Sequence, residues 1–311
     1  MKALVTAELT DDGVRRLESL GYEVHRAGWG VTRHALDAPA LRAAAAGCAL
    51  VVTEIETVDV ALLDAVPELR LVATARGGPV NIDLQACAAR GIPVVSTPGR
   101  NADSVADFTI GVLLSLVRGI GAGERHLRCE GWLVGDELPY LHFRGPELAG
   151  LRLGLVGYGA IGRRVEQRGR DGFGMRVQHT DPASPASVPL ESLLADSDVV
   201  SLHCPRSDAT RGLMDAAALA RMKPGSFLLN TAGGGIVDEG ALVAALESGR
   251  LAGAALDVFA TEPLPRGSPL LTAPNLLLTP HLAGAALDVV RHHTDMICRA
   301  VERWHADQDS R

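Results

Sequence analysis

The chain has 311 residues, of which 47% are hydrophobic, and this is enough for two domains with ordinary cores. Its formal net charge of −7 argues against a nucleic-acid binder or a protein of anionic membrane surfaces, because both classes present a basic face. The chain contains no apolar run of about 18 residues, so no membrane span is predicted.

Short apolar strands alternate with helices over the first hundred residues. The predicted strands are Ala3–Thr6, Tyr22–His25, Leu50–Thr53, Leu69–Thr74 and Ile92–Ser96. The predicted helices between them are Asp11–Leu20, Pro39–Ala46, Asp59–Val66 and Asp83–Ala89. This alternation predicts a parallel sheet with helices on both faces.

A long apolar helix, Asn101–Arg118, and an aromatic-rich irregular arm at residues 130–149 precede a second alternating series. The predicted strands of that series are Leu153–Val156, Arg176–His179, Val199–His203, Phe227–Asn230, Ala254–Val258 and Leu276–Thr279. Ala283–Trp304 is predicted to be the final helix. If this helix packs on the first series, the first domain is discontinuous.

The five cysteines are odd in number and include no Cys-x-x-Cys pair. This pattern argues against a disulfide framework or a zinc knuckle and favours reduced thiols in a cytoplasm. No histidine or cysteine spacing predicts a metal site.

The most specific motif lies where the buried strand Leu151–Val156 runs into a helix. A G-x-G-x-x-G pattern links them and comprises Gly157, Tyr158, Gly159, Ala160, Ile161 and Gly162. In this context the first glycine permits a tight turn, the second admits a pyrophosphate, and the third lets helix and strand pack closely. Asp181 ends the next extended segment, where its carboxylate would bind ribose hydroxyls and repel a 2′-phosphate. The sequence therefore predicts an NAD site.

Several ordered motifs extend this pattern over nearly the whole chain. They are Arg76–Asp83, Ser96–Asp107, Lys223–Gly225 with Asn230–Ala232, Ala255–Phe259 with Glu262–Pro263, and Thr279–His281. In their order and spacing they resemble the D-isomer-specific 2-hydroxyacid dehydrogenases, the family of D-lactate, glycerate, phosphoglycerate and formate dehydrogenases.

This resemblance implies an α/β fold of two Rossmann-like or flavodoxin-like domains with parallel sheets. The substrate domain would comprise residues 1–101 and 285–311, and the inserted NAD-binding domain residues 102–284. It also implies a homodimer, with the arm at 130–149 as part of the interface. Besides the glycine motif and Asp181, the implied cofactor-binding residues are Pro205, Thr231, Ala232 and Asp257.

The resemblance assigns the chemistry to His281 and Glu262. His281 would exchange a proton with the substrate oxygen while the hydride moves, and Glu262 would pair with the ring of His281. The residues support this interpretation, because reduction of a 2-oxo acid needs a hydride donor, a proton donor and donors for the carboxylate. His281 also follows a predicted strand, at the edge where α/β sheets place their sites.

The family's third catalytic residue, an arginine after Asn-Thr-Ala, is replaced here by Gly233. The loss of such a charged partner typically costs about 2–4 kcal/mol of transition-state stabilisation. Four explanations stay open: another arginine substitutes, the substrate carries a phosphonate or phosphate, the chain is a weakly active NAD-binding sensor or partner-binding protein, or the glycine is an introduced substitution.

Arg76 is the first candidate for a substitute arginine, and Arg144 and Arg100 follow. Arg76 could instead form an ion pair with Asp103 or Asp107. The backbone N–H groups of Gly77 and Gly78 are further candidates to bind the carboxylate. We therefore predict an NAD-dependent oxidoreductase of small 2-hydroxy or 2-oxo acids, whose substrate contacts include Arg76, Gly77 and Gly78.

Overall fold

Two parallel sheets, one in each of two units, organise the computed structural model, which describes residues 1–309. The first unit comprises Met1–Asn101 and the described part of Ala286–Arg311, and the second unit is Ala102–Ala285. Residues 310 and 311, which the predicted substrate domain includes, lie outside the described part of the chain.

The first unit has a five-stranded parallel sheet in the order β2-β1-β3-β4-β5. Its strands are β1 (Lys2–Val5), β2 (Glu23–Arg26), β3 (Cys48–Thr53), β4 (Leu71–Thr74) and β5 (Val94–Val95). Its helices up to this point are α1 (Asp11–Ser19), α2 (Trp29–Thr32), α3 (Ala38–Ala45), α4 (Val60–Ala65) and α5 (Leu84–Ala89). β3 and β4 are buried along their whole length because helices cover both faces of the sheet.

Side-chain caps fix where the helices of the first unit begin. The residue before α1, α3, α4 and α5 accepts a hydrogen bond from the backbone N–H three residues later; these caps are Thr10, Asp37, Asp59 and Asp83. Each cap satisfies an N–H group that the helix itself leaves without a partner.

The second unit has a six-stranded parallel sheet in the order β11-β10-β9-β8-β6-β7. Its strands are β6 (Arg152–Val156), β7 (Arg176–Thr180), β8 (Val199–Leu202), β9 (Ser226–Asn230), β10 (Leu251–Leu256) and β11 (Leu276–Leu278). Its helices are α6 (Ala102–Val117), α7 (Ile120–Cys129), α8 (Pro139–His142), α9 (Ala160–Gln167), α10 (Leu190–Asp196), α11 (Ala216–Arg221) and α12 (Glu239–Glu247). A π-helical turn, Arg168–Gly172, extends α9.

The strand order of the second unit creates a crevice at the carboxyl end of β6. The chain leaves β6 for β7 on one side and then crosses to β8 on the other side. Open α/β sheets bind ligands where the strand order reverses in this way. The glycine motif after β6 and the loop after β8 therefore meet at the predicted cofactor position.

The last helix, α13 (Leu287–Asp309), returns to the first unit. Its residues Ile297, Cys298 and Val301 are buried with Leu17 of α1. Arg16 of α1 also donates to Asp295 at 3.0 Å. α13 thus completes the core of the first unit.

Two local features differ from the sequence-based expectations. The final helix begins at Leu287 rather than Ala283, because the backbone N–H groups of Leu282 and Ala283 bind the carboxylate of Asp257. The arm follows a helix that was not predicted, α7, which Gly119 separates from α6 by adopting a φ of 63°.

No single helix in residues 1–309 is long and apolar enough to cross a membrane. The pair α6 and α7 passes that test of length and composition only when taken together across a bend of 59°.

The Asp198 carboxylate links the beginnings of β6 and β9. It accepts a hydrogen bond from the Arg152 N–H at 2.8 Å and another from the Lys223 ammonium group. Partial burial raises the pKa of Asp198, but these two donors outweigh it, and the net pKa is lowered. Asp198 therefore stabilises the folded unit as an anion.

We expect Asp198→Asn to lower the melting temperature by a few degrees near neutral pH, since losing these hydrogen bonds costs about 1–2 kcal/mol. The folded pKa lies below the unfolded value of about 3.9, so the stabilisation is complete above that value and is lost as the pH falls through the folded pKa. The difference in melting temperature between the wild type and Asp198→Asn, measured by calorimetry, should therefore disappear in acid. Asp208→Asn, at an exposed aspartate, is the control; an equal loss in both variants would contradict the role of Asp198.

Candidate active site

Two of the three glycines in the motif lie where a Cβ atom would collide with the backbone of a neighbouring segment. Gly157 has a φ of 96°, and a Cβ atom there would lie 2.5 Å from the backbone of His203 and Cys204. A Cβ atom on Gly162 would overlap the carbonyl oxygen of Gly157. These two glycines let β6, α9 and the loop after β8 approach closely, as predicted for the first and third positions of the motif.

At Gly159, in contrast, a side chain would not collide with the protein. A Cβ atom at this position would meet no heavy atom within 4 Å, and its φ of −78° suits any residue. Gly159 precedes the first residue of α9, where backbone N–H groups and the helix dipole attract an anion. The open face at Gly159 thus fits the pyrophosphate of NAD.

Asp181 lies directly beyond β7 and contacts the glycine motif. Its Oδ2 accepts the Tyr158 N–H at 2.6 Å, and its Oδ1 accepts the Ala183 N–H at 2.8 Å. These two N–H groups hold the pKa of Asp181 below its usual value. The Tyr158 ring also stacks on His179 at 3.7 Å. A fixed negative charge therefore stands at the rim of the motif, where a ribose would bind.

His281 and Glu262 form a hydrogen-bonded pair. His281 Nδ1 lies 2.8 Å from Glu262 Oε2, and Oε1 of the same carboxylate accepts the Phe259 N–H at 2.9 Å. Partial burial raises the pKa of Glu262, but the hydrogen bonds from His281 and Phe259 and the charges of His281 and Arg206 outweigh it. The net pKa of Glu262 is lowered, so the carboxylate is ionised at neutral pH.

The backbone around His281 is held by Asp257, which is 2% exposed. Its carboxylate accepts hydrogen bonds from the Thr279 hydroxyl at 2.6 Å and the Ala283 N–H at 2.8 Å, and its carbonyl oxygen accepts the His281 N–H at 2.9 Å. His281 itself has a φ of 57°, which is rare for a residue with a side chain and costs of order 1–3 kcal/mol. Asp257 thus orients the loop, and its predicted contact with the cofactor stays a prediction.

Gly233 lies in a loop with fixed geometry after β9. The Asn230 side chain closes this loop by donating to the Gly233 carbonyl oxygen at 3.0 Å and accepting the Ala232 N–H at 3.0 Å. Gly234 packs so closely on the Phe259 carbonyl oxygen that a Cβ atom would overlap it. Gly233 and Gly234 therefore lie where a side chain would be crowded, and Gly235 adopts a left-handed φ of 79° that favours glycine.

A cleft of about 530 Å³ joins these groups on the second unit. It is lined by His281, Glu262, Gly233 and Arg206, together with Ala232, Gly234 and residues 258–261. Arg206 was not predicted from the sequence, although it directly follows Pro205, a residue predicted to bind the cofactor. A cation in a loop at the carboxyl edge of the sheet was the signal that could have revealed it.

None of the three arginines considered as substitutes for residue 233 is among the described residues that line this cleft. Arg144 lines a separate cleft with Phe227 and Leu276, at the amino ends of β9 and β11. The expectation that Arg144 could replace the missing arginine is therefore wrong, because His281 follows the carboxyl end of β11. Arg100 donates to Glu54 Oε1 at 2.9 Å within the first unit.

Arg76, Gly77 and Gly78 form an open loop after β4 in the first unit. The Arg76 guanidinium donates to the Glu54 carbonyl oxygen at 3.4 Å, while Gly77 and Gly78 are exposed. Neither glycine N–H donates to any residue within 1–309. Both N–H groups thus stay available to an anion. Asp103 and Asp107, which were alternative partners for Arg76, accept hydrogen bonds from Arg168.

The five cysteines are free, and four of them are buried. Burial raises the pKa of the Cys298 thiol to about 11, so this thiol is a poor nucleophile. In the described part of the chain, no cluster of three or more histidine, cysteine, aspartate or glutamate residues could hold a metal ion.

Residues 110–283 match the sequence profile of the D-isomer specific 2-hydroxyacid dehydrogenase, NAD binding domain. The chain is 35% identical to the Bacillus subtilis protein YoaD, whose name includes 2-hydroxyacid dehydrogenase, over 99% of this chain and 92% of that protein. It is 40% identical to a D-3-phosphoglycerate dehydrogenase of Mycobacterium bovis over 77% of this chain, and the matched part spans 46%, or about half, of that protein.

A solved structure has the same fold over nearly the full chain. The TT0316 protein from Thermus thermophilus matches with a TM-score of 0.79 and 37% sequence identity, covering 96% of this chain and 94% of that chain. The two-sheet α/β architecture predicted from the sequence is thereby confirmed, as is NAD as the cofactor.

We expect Gly159→Ala to weaken NADH binding at least about tenfold, because the added methyl group would occupy the open face and remove a charge-assisted contact of about 1.5 kcal/mol or more. The fold should be unchanged, since the methyl group meets no protein atom. NADH fluorescence titration measures the binding. Gly172→Ala, at an equally open glycine in the π-helical turn, should bind NADH normally. Unaltered binding by the Gly159 variant would place the pyrophosphate elsewhere.

Proposed function

We propose that this chain, which belongs to the D-isomer specific 2-hydroxyacid dehydrogenase family and is an NAD-dependent enzyme of that family, interconverts a small D-2-hydroxy acid and the matching 2-oxo acid. The observation that carries the proposal is the 2.8 Å hydrogen bond between His281 and Glu262 in an open cleft. A histidine paired with a carboxylate at such an edge is suited to exchange one proton with a substrate oxygen.

The pairing leaves one ring nitrogen of His281 for the substrate. Nδ1 is engaged by Glu262, so Nε2 is the atom that would donate a proton to the carbonyl oxygen, or take it from the hydroxyl in reverse. The Glu262 anion stabilises the ring when it carries both protons and prevents it from rotating. When bound, NAD supplies or accepts the hydride.

The cofactor would lie along the carboxyl edge of the second sheet. In this proposal the pyrophosphate contacts the glycine motif, and Asp181 binds the adenosine ribose. The other proposed contacts are Pro205, Thr231, Ala232 and Asp257. Arg76, Gly77 and Gly78 stay candidates for binding the substrate. The free thiols favour a reducing compartment such as the cytoplasm.

We also propose a homodimer that buries the arm at residues 130–149. This segment exposes several large apolar side chains, which are Trp132, Leu133, Leu138, Tyr140 and Leu141. Trp132 is 68% exposed and Tyr140 79%. Aromatic side chains exposed together in this way are typical of protein interfaces.

His281→Asn should lower kcat by about 10²–10⁴ on any 2-oxo acid that the wild type reduces, because the proton donor is lost. NADH binding should stay unchanged. The assay follows NADH absorbance with glyoxylate, pyruvate, hydroxypyruvate and larger 2-oxo acids, and chiral analysis should show a D product. His25→Asn, at an exposed histidine of β2, is the matched control. A wild type that binds NADH but reduces no 2-oxo acid would refute the proposed function.

For the dimer, Trp132→Glu with Tyr140→Glu should convert the wild-type dimer into a monomer at micromolar concentration, since two charges would be placed in an apolar interface. Sedimentation velocity measures the mass. Val60→Glu changes an exposed apolar residue at the start of α4 in the first unit and should leave the dimer intact. A wild type that sediments as a monomer would rule the interface out.

A further inference from the structure

We propose that Arg206 binds the substrate carboxylate in this chain and takes the role of the side chain that Gly233 lacks. This inference rests on the proposed function, because a 2-oxo acid beside His281 presents a carboxylate that needs a cation. Arginine suits this role, since its planar guanidinium can donate two parallel hydrogen bonds to a carboxylate.

Arg206 is the only arginine or lysine among the described residues that line the cleft of His281 and Glu262. Its side chain is exposed, and no carboxylate in residues 1–309 lies within ion-pair distance of its guanidinium. The neighbouring Arg211, in contrast, pairs with Asp208 at 3.5 Å. The charge of Arg206 is thus available to an anion in the cleft, and it already helps to lower the pKa of Glu262.

Arg206 and Gly233 occupy adjoining space. A Cβ atom built on Gly233 would lie 3.1 Å from Arg206 Cβ and 3.9 Å from Arg206 Cα. This is closer than most side chains tolerate, so a large residue at 233 would crowd Arg206. Gly233 does not have a left-handed φ, and its backbone therefore does not itself require glycine. The nearness of Arg206 therefore favours glycine at position 233.

The loop that carries Arg206 is attached to the loop that carries Gly233. The Gly212 N–H donates to the Gly235 carbonyl oxygen at 2.8 Å, and the Met214 N–H donates to the Ile236 carbonyl oxygen at 3.0 Å. Within the first loop, the Thr210 hydroxyl donates to the Pro205 carbonyl oxygen at 2.7 Å. These bonds fix the base of the Arg206 side chain beside Gly233, so an arginine lines the cleft from one loop in place of the other.

Arg206→Ala should reduce kcat/KM for pyruvate or glyoxylate about a hundredfold, because a charge-assisted, bidentate partner is lost. Methyl pyruvate lacks the carboxylate charge, and its kcat/KM should change less than about threefold. Arg206→Lys should recover part of the loss, since an ammonium group supplies the charge without the planar fork. Oxamate, a pyruvate isostere, should bind the NADH complex of Arg206→Ala more weakly by a similar factor.

Arg211→Ala is the matched control, because Arg211 lies in the same loop, is exposed and pairs with Asp208. Its kcat/KM should equal that of the wild type. A wild type that is active on pyruvate, with an Arg206→Ala variant that loses no more on pyruvate than on methyl pyruvate, would overturn the inference while leaving the proposed function intact. A wild type inactive on every 2-oxo acid would instead count against the proposed function.

A second substitution tests whether the two positions serve one carboxylate. In an Arg206→Gly background the Cβ atom that crowds residue 233 is absent, and Gly233→Arg should then restore at least about tenfold of the lost kcat/KM. Gly233→Arg alone should gain less, because the two side chains would compete for the same space. Absence of any gain in the double variant would overturn the claim that Arg206 replaces residue 233.

Discussion

The candidate active site depends on the buried carboxylate of Asp257. A charge that is 2% exposed is costly unless hydrogen bonds satisfy it, and here three donors from residues 279–283 do so. Those bonds bend the chain immediately after β11 and hold His281 at a φ of 57°. The carboxylate thus stabilises a backbone conformation that His281 alone would not adopt, and the ring faces Glu262 as a result.

Glu262 fixes the orientation of the His281 ring. One of its oxygens is held by the Phe259 N–H and the other by His281, so both partners fix the carboxylate plane. Gly234 packs against the Phe259 carbonyl oxygen, which places the loop after β9 against the loop after β10. The site is therefore preorganised by backbone contacts between neighbouring loops.

The features predicted from the sequence are those that local spacing encodes. The turn at Gly157, the register of Asp181 and the strand alternation depend on residues close together in the chain or on a regular repeat. The pair of His281 and Glu262 was predicted through family resemblance, since 19 residues separate them. The start of the last helix at Leu287 was missed, because its cause is a distant carboxylate, Asp257.

Arg206 was missed for a related reason. It lies 27 positions before Gly233 in the sequence, and no motif connects the two. They meet because β8 and β9 are neighbours in the parallel sheet, so the loops after both strands emerge at the same edge. A parallel sheet thereby offers two adjoining loops from which one side chain can reach the cleft. Binding of the substrate carboxylate requires a cation at one place in the cleft. Because the two loops adjoin, an arginine at position 206 or at position 233 can supply it.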